Sequence, residues 1–239
     1  MIDKSSIMQS VCYDWYRGVI DSMRIDKVIR LVIKPPFRSH FYHILMTNTI
    51  LYLIPYLLFG ELHPLITTII NTISIIFHIF KYFDLVCVAV HLNRSYTKIY
   101  DGTEMLSLGL LMAIYQTVIS LSLFIVSLVI YFPVEPLILL YYHSFYCFNN
   151  LWQCQGIPVS EREKRIERLW GYYAGFATIS TVLYLLSNNL LICAIYNIYL
   201  SCNILTVFVI KSYPSHNNYP SINLSIFSWI TKVIVHSLS

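Results

Sequence analysis

Charge is what this chain has least of. Asp, Glu, Lys and Arg make up 12% of its 239 residues, against 57% hydrophobic ones. A soluble domain carries about 25% charged residues, so the shortfall points to a chain that spends much of its length in a bilayer. Metal and disulfide chemistry are also poorly supplied. The six cysteines, at positions 12, 87, 147, 154, 193 and 202, form no CxxC pair, and four lie in apolar runs. That pattern suggests neither a disulfide framework nor a zinc site. There is no P-loop, no GxSxG and no pair of carboxylates on one rigid element. His40 and His43 form an HxxH pair with no companion Glu motif or third ligand, and read as interfacial histidines. Without a catalytic constellation no cofactor or metal is expected, and the chain reads as a non-enzyme. Nucleic acid is not an expected partner either, because the basic residues follow membrane loops instead of a separate domain. An early secretory pattern is missing too. The first forty residues carry seven Lys or Arg and four Asp, spread throughout. The first membrane segment is therefore expected to serve as the targeting signal.

What the chain does have is long apolar runs. Segments at 41–60, 64–90, 104–132, 136–152, 171–187 and 190–210 approach or exceed the roughly twenty apolar residues that a span needs. The expected fold class is all-α: a polytopic membrane protein of about six hydrophobic helices, with amphipathic terminal helices. The fourth and fifth segments are short. Full spans and half-penetrating hairpins both fit them, with turns marked by Pro133 and Pro136 and by Asn188 and Asn189. Three units follow: a cytosolic N-terminal helix over 1–40, a membrane domain over 41–211 with a linker at 153–169, and an amphipathic tail over 212–239. Fifteen of the sixteen Lys and Arg fall in the N-terminus, the 91–103 loop, the linker and the tail; Lys81 is the other. The positive-inside rule places all four on the cytosolic side, with both termini there. The lipid bilayer is the first expected partner.

Two regions look able to meet a membrane surface. The spacing over 11–34 predicts one amphipathic helix, stopped by Pro35 and Pro36, lying in an anionic headgroup layer or packed on the protein itself. The linker concentrates Glu161, Arg162, Glu163, Lys164, Arg165, Glu167 and Arg168 within eight residues. Ser160 with Glu163 reads as a capping box opening a short helix. Its apolar face, Ile166, Leu169 or Trp170, and Tyr173, can rest on the bilayer surface while the charges stay wet, although the pattern alone favours an ordinary solvated linker between helices.

Polar residues inside the membrane segments form stripes. Thr67, Asn71, Ser74, His78 and Lys81 share one helical face and are a candidate polar path. Gly109, Ala113, Gln116, Ser120 and Ser127 share another, and the two stripes are expected to face each other. Interhelical packing, with Lys81 snorkelling to the nearby cytosolic surface, is the favoured reading of them. Gly171 and Gly175 make a GxxxG pattern that fits either a homo-oligomer contact or an internal helix crossing.

The stretch around the linker resembles the etoposide-induced protein 2.4 family, relatives of the bacterial sulfate permease CysZ. The matching residues are Tyr146, Cys147, Phe148, Trp152 and Gly156, then Ile166, Glu167, Arg168, Trp170, Tyr172, Tyr173, Gly175 and Phe176. A second match is Arg17-Gly18 with Asp21-Ser22, weaker similarity runs from Met105-Leu106 to Pro133 and around Phe227-Ser228, and together these span most of the chain. Gly171 and Ala177 stand where the family has Pro and Gly, and a basic insertion after the N-terminal helix is missing. The resemblance implies an endoplasmic reticulum membrane protein that supports autophagosome maturation to degradative autolysosomes. It also implies links to growth suppression and apoptosis, and partners among autophagy or apoptosis regulatory proteins. The bacterial relatives imply half-penetrating hairpins, and an alternative activity as a small-anion, sulfate-like transporter or channel.

Overall fold

Glycine and proline punctuate the chain into helices. A computed structural model describes residues 4–60, 66, 69–70, 73, 134–187, 189–210 and 219–222. Helix α1 spans Lys4–Ser22 and turns Asp14, Gly18, Asp21 and Ser22 inward at helical spacing. It does not run on to residue 34 as the periodicity predicts. The Ser22 hydroxyl donates back to the Val19 carbonyl at 2.8 Å. Arg24 leaves the helical region at ψ 46°, and its guanidinium meets Asp21 at 2.9 Å. The chain restarts as α2, Ile25–Val32, which buries Val28. Pro35 and Pro36 do stop that helix. They also open the next, since proline needs no helical N–H donor in the first turn.

Helix α3, Pro35–Asn48, runs into a π-helical stretch at Thr49–Leu53 and then α4, Ile54–Phe59. The wide turn has a local cause. Pro55 has no N–H for the carbonyl one turn back and its ring would crowd it; a π turn absorbs both defects. Thr47, Asn48 and Thr49 each donate to the carbonyl four residues earlier, which loosens the ladder further. Gly60 ends the run at φ 67°.

The second half holds the core. Helix α5, Val134–Cys154, ends in a Schellman turn. Gly156 takes φ 70° and the Ile157 N–H reaches back to the Trp152 carbonyl at 2.9 Å. Helix α6, Val159–Arg168, starts after Pro158. Ser160 is thus inside the helix instead of capping it, and the predicted capping box does not form. Helix α7, Trp170–Leu185, and helix α8, Leu190–Val209, make a hairpin whose turn holds the expected Asn189; Asn188 lies outside the described residues. The Asn189 side chain caps α8 by accepting from the Ile192 N–H at 2.9 Å.

Helices α5, α7 and α8 pack around Phe148, Leu151, Tyr172, Phe176, Ile204 and Leu205, all almost fully buried. Helix α1 lies along α7, α2 and α3 lean on α8, and α6 folds back on α5. The α6 face expected on the bilayer surface is instead part of this core. Ile166, Leu169 and Tyr173 are 3%, 8% and 3% exposed, because the tight Gly156 turn brings α6 back over α5 and its apolar face closes the bundle end. Every described element is helical, so the chain is all-α among the described residues. Two stretches there are long and apolar enough to cross a bilayer, Phe37–Phe59 and Leu190–Val209. At sixteen residues α7 is about 24 Å long, short of a roughly 30 Å hydrocarbon core. Segments 64–90 and 104–132 lie almost wholly outside the described residues, as does the tail beyond 222.

Phe148 sits edge-on to Tyr173 and Phe176, with ring centroids 5.0 and 4.9 Å away. Phe148→Ala is expected to remove about 3–5 kcal/mol of stability, measured as a lowered thermal unfolding midpoint of the detergent-purified chain.

Candidate functional site

Two glycines allow α1 and α7 to touch backbone to backbone. A Cβ on Gly175 would overlap the Trp15 carbonyl oxygen and stand 2.7 Å from its carbon. A Cβ on Gly18 would overlap the Tyr172 carbonyl oxygen and stand 2.7 Å from the Phe176 nitrogen. Each glycine therefore faces backbone of the other helix, which no side-chain rearrangement can relieve. Gly171 lies farther along the same contact, where an added Cβ would stand 3.3 Å from the Val11 carbonyl oxygen. The GxxxG pattern is thus an internal crossing, and its partner is Gly18.

Polar groups fasten the crossing along its length. The Tyr172 hydroxyl donates to Asp21 at 3.1 Å. The Trp15 indole N–H donates to Thr178 at 3.1 Å. The Tyr199 hydroxyl, from α8, donates to the Ser22 carbonyl at 3.3 Å. At the other end the Tyr219 hydroxyl donates to Asp14 at 2.9 Å. Burial, then the hydrogen bond and charge of Asp14, push the Tyr219 phenol up from its ordinary value, so that proton stays in place throughout the neutral range. Segment 219–222 is held by two more bonds: the Trp170 indole donates to the Pro220 carbonyl at 3.2 Å, and the Ile222 N–H to the Glu167 carbonyl at 3.1 Å.

The charge cluster of α6 divides into two kinds. Arg162 and Glu163 are 8% and 6% exposed. The Arg162 guanidinium donates to Asn149 on α5 at 2.6 Å and to the Ile157 carbonyl at 2.7 Å. Glu161, Lys164, Arg165 and Arg168 lie toward solvent, with Glu161 paired to Arg168 and, at 4.0 Å, to Arg165.

A second polar group sits between α5, α7 and α8. His143 is 1% exposed. Its Nδ1 is 3.0 Å from the Thr181 hydroxyl and its Nε2 is 2.9 Å from the Tyr196 hydroxyl. A neutral imidazole donates from one nitrogen and accepts at the other, and two hydroxyls satisfy either tautomer. Close by on α7, Ser180 accepts from the Asn203 amide at 3.0 Å. Among the described residues no group of three His, Cys, Asp or Glu side chains is arranged to hold a metal ion.

The residues singled out by resemblance meet at one place. Arg17, Gly18, Asp21 and Ser22 lie on α1; Gly18, Asp21 and Ser22 touch α7 or α8 directly. Phe148 joins Tyr172, Tyr173, Phe176 and Trp152 in one aromatic cluster. Cys147 and Ile166 are buried in the same core, and Tyr146 stacks on Tyr142 at its edge. Glu167 and Trp170 hold segment 219–222. The candidate path Thr67, Asn71, Ser74, His78 and Lys81 lies outside the described residues, as do its facing stripe and the side chain of His40; His43 is exposed on α3. Sequence reasoning missed Asp14, Tyr219, His143 and Asn203. Only Asp14 left a signal, its i, i+4, i+7 spacing with Gly18 and Asp21.

These features define an all-α protein in which an N-terminal helix is keyed into a three-helix core through a glycine crossing. The chain belongs to the same family as uncharacterized protein L211 of Acanthamoeba polyphaga mimivirus. The two are 35% identical over 246 residues, covering 95% of this chain and 94% of that protein. No family model matches the chain, and no solved structure matches it.

Gly18→Ala and Gly175→Ala are each expected to pry α1 from α7, costing about 3 kcal/mol or more through backbone overlap. Gly171→Ala, which meets only looser neighbours, should cost about 1 kcal/mol or less. Thermal unfolding of the three purified variants checks the order; equal midpoints would reject the crossing.

Proposed function

We propose that this chain is a non-enzymatic, multi-pass membrane protein of the endoplasmic reticulum. In this reading it supports autophagy at the maturation of autophagosomes into degradative autolysosomes, with the associated links to growth suppression and apoptosis. One observation carries the proposal. The two sequence stretches that resemble the etoposide-induced protein 2.4 family are about 130–150 residues apart, yet they meet at the α1–α7 crossing. Residues matched at random would have no reason to share one contact. The apolar helices Phe37–Phe59 and Leu190–Val209 support the membrane part of the reading. In this arrangement both termini and α6 face the cytosol, and Lys164, Arg165 and Arg168 form the surface offered to a regulatory protein.

A small-anion transporter is the second reading. The buried polar groups His143, Thr181, Ser180 and Asn203 favour it, since polar side chains inside a membrane bundle also line solute paths. Their bonds to one another support a packing role instead.

The test uses host cells lacking their own member of the etoposide-induced protein family, complemented with this chain. Wild type should restore autophagic flux, read as clearance of lipidated autophagosome marker and receptor that a lysosomal inhibitor reverses. The combined variant Lys164→Glu, Arg165→Glu, Arg168→Glu should fail to restore it at an unchanged protein level. The ion pairs it breaks are exposed, worth about 0–1 kcal/mol each. No rescue by wild type rejects the autophagy reading, and full rescue by the variant rejects the role of α6. Sulfate uptake by liposomes holding the purified chain would favour the transporter.

A further inference from the structure

The bend at Met23–Arg24 separates the N-terminal region into two parts with different surroundings. Helix α1 is committed to α7 by Gly18. The stretch from Arg24 to Arg38 is committed only on its inner side, where Val28 and Phe37 are buried. Its outer side is mixed in a particular way. Met23, Ile29 and Ile33 are 55%, 54% and 66% exposed. Between and beside them stand Arg24, Lys27, Arg30, Lys34 and Arg38, with Asp26 as the one acid. Arg24 pairs with Asp21 at 2.9 Å, so the other four cations less Asp26 leave a formal +3 on α2 and the start of α3. Among the described residues Lys27, Lys34 and Arg38 enter no ion pair, and Arg30 reaches Asp26 only at 3.9 Å with its side chain 82% exposed.

Position adds a second, independent observation. The apolar stretch Phe37–Phe59 begins at the end of this cluster, and only 17% of its most apolar 18-residue window is buried within the protein. Its 23 residues extend about 35 Å, enough for a roughly 30 Å hydrocarbon core. A helix crossing there sets Lys34 and Arg38 at headgroup depth, with α2 immediately before them in the chain. Exposed isoleucines flanked by Lys27, Lys34 and Arg38, which enter no ion pair among the described residues, suit an anionic leaflet: the apolar groups enter the acyl boundary while each of these cations meets a lipid phosphate or carboxylate.

We infer that α2 and the start of α3, Arg24–Arg38, form a docking surface for the anionic phospholipids of the leaflet in which the chain sits. The inference rests on the membrane reading given above. It narrows the amphipathic region from the whole N-terminal helix to the part that the glycine crossing leaves free.

The full-length chain is incorporated into nanodiscs of phosphatidylcholine alone and into discs with 30% phosphatidylserine. Hydrogen–deuterium exchange is then followed by mass spectrometry. Peptides covering Arg24–Arg38 should exchange roughly threefold or more slowly in the phosphatidylserine discs at 0.1 M salt. The difference should vanish at 1 M salt and in the variant Lys27→Gln, Arg30→Gln, Lys34→Gln, Arg38→Gln. Peptides of α1 and α7 should exchange equally in both discs. Equal exchange of Arg24–Arg38 in the two discs overturns the inference and leaves the membrane reading standing, as does a difference that persists in the variant. A chain that stays outside the discs and is extracted from cell membranes by alkaline carbonate overturns both.

Discussion

The absence of two side chains decides how close α1 and α7 can come. With hydrogen atoms at Gly18 and Gly175, backbone meets backbone, and the short polar groups on either side fall within bonding distance. With methyl groups there the helices would separate, and Asp21 would lose Tyr172. The crossing thus has a larger reach than its own contact area. It fixes the exit direction of α1, and so where α2 meets α8 and where Pro35 starts α3. It also makes the pocket for Tyr219 between Asp14 and Gly171.

Around that crossing the fold keeps many polar groups out of water, and each kind contributes differently. Arg162 is the largest commitment. A buried guanidinium is tolerable only when its donors are used, and bonds to charged groups contribute about 1.5–3 kcal/mol. Its bonds to Asn149 and to the Ile157 carbonyl tie α6 to α5. The pairs of Glu161 with Arg165 and Arg168 look similar on paper but lie at the surface, where such pairs are worth about 0–1 kcal/mol. His143 belongs with Arg162: its two hydroxyl partners come from α7 and α8, so one imidazole cross-links all three core helices.

The all-helical architecture was legible in the sequence, because long apolar runs with few charges leave no other arrangement for the described segments. Turn chemistry was legible where it is local. Asn189 caps α8, and the prolines after residue 34 end one helix and begin another. The failures were tertiary. Nothing in the periodicity over 11–34 distinguishes one helix from two, because the break comes from Ser22 and Arg24 finding partners at the bend. The apolar stripe on α6 was read correctly as a stripe, but a stripe does not name what covers it. Arg162 looked like its charged neighbours, and only the fold distinguishes it. The GxxxG pattern left two partners open, since the answering glycine lies 157 positions earlier and has no pattern of its own.

That separation has a consequence for the order of assembly. Asp21 and Tyr172 are 151 residues apart in the chain, and Asp14 and Tyr219 are 205 apart. At about 5–20 residues per second of synthesis, α1 waits roughly 8–30 s before its partner helix exists. During that interval α1, with the Asp14 and Asp21 carboxylates and the Gly18 groove that it later buries, has no partner helix. The last described residues to emerge, 219–222, are the ones that close the structure over it.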